Sequence, residues 1–337
     1  MAMEEYPRIP MEKTRKIIRR SVHTFLQHYH YLTTTAALLA LPYSASALLS
    51  QAFVPSSSST LLPTLYFRLK ALFQAAGFPP SSQFFSLLSL KISQTISSSV
   101  FALPFTLSFL LLAKASVIHF LNRYKHPSLP SFSSFISLYQ PLLITYLCNS
   151  LLLLSANATA FSILFFAFNL LEEFGFSSPN FFFIFSAAGA VLYSIIIANA
   201  LIICNLALVL SGVEGSGGYL AILKAFVLIR GRTSTGLSLA VPVNLVMAAI
   251  EALFHFRIVR AFHFTGKVTP DMGLEGMLIA FLYSILVVLD TVVSYIFFKS
   301  CKNGSLMEEE GRFYYRTEIA REDGDEHLQL KNSEEIP

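Results

Sequence analysis

The sequence predicts an all-α fold: a polytopic transmembrane bundle of six spans with cytoplasmic amphipathic helices. Three observations predict it. Of the 337 residues, 54% are hydrophobic and only 13% charged, with a mean hydropathy of +0.60, whereas a soluble domain carries about 25% charged residues. No Asp, Glu, Lys or Arg occurs between Lys125 and Glu172, or between Glu173 and Glu214. Six apolar segments recur, at 32–54, 96–119, 139–170, 181–211, 237–256 and 274–298, and about 20 apolar residues suffice to cross a bilayer.

The elements follow in order. Residues 1–30 form a basic segment. Within it Ile18, Val22, Phe25, Leu26 and Tyr29 share one helical face, while Lys13, Lys16 and Arg20 line another. That pattern suits a helix lying on an anionic leaflet. Ala45-Ser46-Ala47 resembles a signal-peptidase site, but the polar stretch before it is too long and apolar character continues to Val54. Glu4, Glu5 and Glu12 are out of character for a transit peptide. Residues 31–300 form the transmembrane domain. Pro42 and Pro104 fall within spans one and two, as a membrane helix tolerates when neighbours satisfy the freed carbonyls. Residues 61–94 hold segments too short to span, which read as lying along the opposite interface. Spans three and four are long enough to tilt or project beyond the hydrocarbon. Residues 301–337 read as a disordered acidic tail open to protein partners, since half of the 20 acids lie beyond residue 307.

Lys and Arg set the orientation. Eighteen of the 24 fall on one side if the termini are cytoplasmic, and six on the other: Arg68, Lys70, Lys91, Arg257, Arg260 and Lys267. An excess of this kind predicts both termini inside.

The loop after span four is the most informative stretch. Tyr219, Ile222, Leu223 and Phe226 recur at helical spacing, so a short helix is expected from Gly218 to Gly231 with those side chains turned to the membrane. Lys224, Arg230 and Arg232 would then reach lipid phosphates or acids on neighbouring loops. The glycines at 215, 217 and 218 lack the Gly-Lys-Ser/Thr of a phosphate cradle. Glu214, Gly218, Ala221, Lys224, Leu228, Arg230 and Gly231, in this order between the fourth and fifth of six spans, resemble a large family of plant multi-pass membrane proteins with no assigned activity. They are distantly similar to the membrane domain that some bacteria fuse to a glycerophosphodiester phosphodiesterase. That family usually has Ser where this chain has Ala225. The resemblance implies the six-span architecture over residues 10–300 and a plant endomembrane or plasma membrane location; without a soluble phosphodiesterase domain it implies no hydrolysis.

Ionisable residues within spans are functional candidates by default. They are Lys114, Glu251, His255 and Asp290. Glu251 and His255, four apart, share a helical face, as a proton relay or cation site requires, unless both sit solvated near the outer end of span five beside Arg257. Lys114 and Asp290 lie about 9 and 12 Å above the cytoplasmic ends of their spans, so they are expected to pair, unless Lys114 snorkels to the cytoplasmic interface. Asn149, Asn157, Asn199, Asn205 and Asn244 suit interhelical hydrogen bonding. Cys301, directly after span six on the basic side, is a palmitoylation candidate. One histidine and one carboxylate fall short of a zinc site, and no cofactor motif, hydrolase motif or nucleic-acid-binding module is present. The sequence therefore points to a non-enzymatic membrane protein whose partners are anionic lipids and proteins, with a small-solute or ion transporter or channel as the alternative.

Overall fold

The computed structural model describes residues 14–56, 61–75, 83–123, 132–173, 179–265 and 269–333, and all regular structure among them is helical. Six helices are long and apolar enough to cross a membrane: Tyr29–Ser50, Ile92–Asn122, Leu138–Leu164, Ala187–Glu214, Thr233–Phe262 and Pro270–Asn303. They are spans one to six below. The protein is a multi-pass membrane protein built as an all-α bundle.

Span six is the axis. Its Ile279, Ala280, Tyr283, Val287, Val288, Val292, Val293, Ile296 and Phe297 are all buried, and it touches spans one, two, four and five. Lipid is as apolar as leucine, so these helices associate through close packing and interhelical hydrogen bonds. Small and β-branched residues serve that purpose. Tyr31 and Ser116 hydroxyls meet at 2.7 Å between spans one and two, and Tyr295 Oη donates to the Leu121 carbonyl at 3.2 Å between six and two. Spans three and four belong to helices Phe132–Glu173 and Pro179–Glu214, packed along each other. The first has 42 residues, about 63 Å of helix against roughly 30 Å of hydrocarbon, so it must project or tilt.

Three spans contain a π turn. Ala36–Ala40 in span one precedes Pro42, and Thr106–Leu110 in span two follows Pro104. His255–Val259 in span five carries the helix past Arg257. Proline removes a donor from the helical ladder, and a widened turn is one way to absorb the loss. Tyr139 Oη of the third helix donates to the Leu107 carbonyl inside the span-two turn at 2.8 Å.

Two elements differ from the sequence reading. The helix Thr14–Gln27 buries Ile17, Ser21 and Phe25 against the bundle, not the expected Ile18–Val22–Phe25 face; Val22, Leu26 and Tyr29 stay exposed. It therefore presents apolar side chains on two sides. The helix carrying span six runs to Ser333, so the segment read as a disordered tail is helical over its described part. Its Glu, Arg, Leu and Lys residues are good helix formers, and the preceding span supplies the costly nucleus.

Candidate functional site

Two groupings of polar residues stand out. The first is the loop motif. Gly215, Gly218 and Gly231 have φ of 69°, 80° and 79°, values that disfavour any side chain. Gly218 opens and Gly231 follows the helix Tyr219–Ile229, as the sequence predicts. A Cβ at Gly217 would lie 2.5 Å from the Pro141 carbonyl oxygen and 2.7 Å from its Cα, so the loop passes directly against the backbone of span three. There Thr145 completes the joint. Its hydroxyl accepts the Gly218 N–H at 2.8 Å and has two acceptors in reach of its proton, the Pro141 carbonyl at 2.7 Å and Ser211 Oγ at 3.0 Å. Its one proton and one of its lone pairs are thus both engaged.

Charges close the other side. Lys224 Nζ lies 2.9 Å from Glu214 Oε2, and Lys302 Nζ lies 3.6 Å from Oε1 of the same carboxylate. Arg232 Nη1 donates to the Cys301 carbonyl at 2.6 Å. The motif thus pins the loop to spans three and six. Lys224 finds an acid on its own loop, whereas Arg230 is exposed at the helix end. Ala221, Ile222, Ala225 and Ile229 are buried in the main core. Tyr219, Leu220, Leu223, Phe226 and Val227 are exposed. Ile222, expected to face the membrane, is turned inward because the two alanines let that side approach the bundle. Leu228 is partly buried against the same core.

Cys301 corrects another expectation. It is fully buried, so an acyl chain has no access to its sulfur in this arrangement.

The second grouping lies inside the membrane. Tyr283 Oη donates to Glu251 Oε1 at 2.9 Å, joining spans six and five. Tyr43 of span one packs in the same cluster as Tyr283, Val287, Met247 and Ile250. Lys114 and Asp290 form no ion pair within 4.0 Å among the described residues, so the expected direct bridge is not made. Glu251 takes its bond from span six and not from its own helix. His255 is exposed, and Arg257 pairs with Glu275 at 2.6 Å. Because the π turn extends span five to Phe262, Glu251 sits near the middle of its span and not at a solvated end.

Asn149 donates to the Cys204 carbonyl at 2.9 Å, and Tyr193 donates to Asn157, both linking spans three and four. Sequence reasoning missed Thr145, Tyr43 and Tyr283. The signal was present for one of them: Tyr283 and Asp290 are seven apart, on one face of span six.

A family model described as Domain of unknown function (DUF8558) matches residues 11–310, which include the N-terminal helix, all six spans and the loop motif. No curated protein and no solved structure matches.

Proposed function

The chain belongs to the DUF8558 family over residues 11–310, and on that premise we propose that it acts by contact and not by catalysis, as a membrane component engaging lipid headgroups and protein partners at its motif end. The two-faced loop helix carries this reading. One side is fixed in the core, and the other exposes Tyr219, Leu220, Leu223, Phe226 and Val227. Five large apolar side chains on one helix face suit a membrane interface, with Arg230 at headgroup depth. The helix Thr14–Gln27 adds exposed Val22 and Leu26 beside exposed Arg15 and Arg19. The charge bias of the loops supports a cytoplasmic motif end, and the likeness to plant six-span proteins supports an endomembrane or plasma membrane. The helical tail would be the protein-binding arm.

The test is lipid retention. Purified chain carrying Arg15→Ala, Arg19→Ala and Arg230→Ala is expected to keep less phosphatidylserine through detergent exchange than the unaltered chain. Equal retention would overturn the lipid reading.

A second reading, a small-solute or ion transporter, is favoured by the Glu251–Tyr283 bond near mid-span, since transporter sites lie near the bilayer midplane. Liposome flux abolished by Glu251→Gln or Asp290→Asn would support it; no flux of any tested ion in the unaltered chain would sink it.

A further inference from the structure

We propose that span five is where two copies of this chain meet in the membrane, through the stripe Ala240, Asn244, Ala248, Glu251 and His255. The Asn244 amides of the two copies hydrogen-bond to each other across a twofold axis. This pairing is independent of the lipid and transport readings and requires neither.

Register is the first support. The five residues recur at intervals of three or four along span five, so their side chains stack on one face of the helix. None of the five is a large apolar side chain, whereas the exposed positions around them hold Val241, Leu245, Val246 and Leu253. Asn244, Ala248 and His255 are exposed, and Ala240 and Glu251 are half-buried. Spans three and five are also the least enclosed of the six. Small residues let a second backbone come close, and close packing with polar contacts is what joins helices in lipid.

The amide is the second. Asn244 follows the start of Thr233–Phe262 by about 16 Å of helix, near the middle of roughly 30 Å of hydrocarbon. Asn149 donates to the Cys204 carbonyl at 2.9 Å and Asn157 to the Leu153 carbonyl at 2.8 Å. Asn244 makes no hydrogen bond among the described residues, and it is exposed beside Val241 and Leu245. A carboxamide left bare in hydrocarbon is costly, because no water is there to take its donors and acceptor. The fold supplies it no partner, so the partner comes from outside the chain.

Self-complementarity identifies that partner as a second copy. Two copies share one orientation in the bilayer. A twofold axis along the membrane normal therefore sets each residue of the stripe opposite itself or its neighbour. A carboxamide is donor and acceptor at once, so two facing Asn244 side chains close a reciprocal pair of hydrogen bonds. Ala240 and Ala248 lie one turn to either side and let the backbones approach there. Further along, Glu251 is an acceptor and His255 a donor, and the axis sets each towards the other residue of the second copy. Tyr283 occupies Glu251 Oε1, which leaves Oε2 for that contact. A different protein would need a matching stripe, which the second copy carries by symmetry.

The experiment is energy transfer between donor- and acceptor-labelled full chains in phosphatidylcholine liposomes, followed as the lipid-to-protein ratio is raised. The unaltered chain is expected to show transfer that falls on dilution as a dimer dissociates. Asn244→Leu should weaken the association roughly tenfold, and Ala248→Phe should abolish it by holding the backbones apart. Leu151→Ala, on the exposed face of span three, should change nothing. Because Asn244 and Ala248 are exposed, neither variant should lower the Tm of the dispersed chain in detergent, which separates lost association from lost folding. A chain that stays monomeric at every dilution, or a dimer that both span-five variants leave intact, would overturn the proposal. So would a photo-cross-linker at position 248 that captures a different protein in native membranes and never a second copy.

Discussion

The motif joint and the intramembrane centre use the same residue types to opposite ends. At the joint every polar atom of Thr145 is engaged, Glu214 holds two lysines, and Arg232 caps the Cys301 carbonyl. In the intramembrane grouping Glu251 accepts one bond, from Tyr283, and Lys114 and Asp290 form no ion pair within 4.0 Å among the described residues. Several bonds meeting on one hydroxyl and one carboxylate fix the loop, whereas a single bond joins spans five and six at Glu251. The most recognisable sequence motif therefore pins one side of its loop helix to the bundle and leaves the other side exposed, while the polar residues within the spans are scattered among apolar runs.

That comparison can be broken at graded cost. Gly217→Ala should do most harm, since its Cβ would strike backbone atoms of Pro141 that have no rotamer to escape by; a loss of about 3 kcal/mol is expected, read as a lowered Tm. Thr145→Val leaves the buried Gly218 N–H without its acceptor, at about 2 kcal/mol, with Thr145→Ser restoring most of it in the same melt. Arg232→Met removes the bond to Cys301 and should cost about 1.5 kcal/mol by chemical denaturation. Glu214→Gln should cost less than about 1 kcal/mol, because its lysines are half-exposed, and the effect should fade in high salt.

The sequence displays some of this plainly. Charge-free runs reveal spans three and four, and glycines mark both ends of the loop helix, because hydropathy and backbone freedom are local properties. The rotation of that helix is not local. Lipid and protein interior are equally apolar, so Ile222 and Leu223 look alike until the small Ala221 and Ala225 are seen against the core. The Tyr283–Glu251 bond joins residues 32 apart, and no spacing rule foretells it. Extending span five through the π turn moved Glu251 from an expected solvated end towards mid-membrane.

The most direct test sets Thr145→Val beside Arg230→Ala with two readouts, melting temperature and phosphatidylserine kept through detergent exchange. The account predicts a crossed result: Thr145→Val lowers Tm but keeps the lipid, while Arg230→Ala keeps Tm nearly unchanged and loses lipid. Two variants that change Tm and retained lipid alike would contradict the division between a structural joint and an exposed contact face.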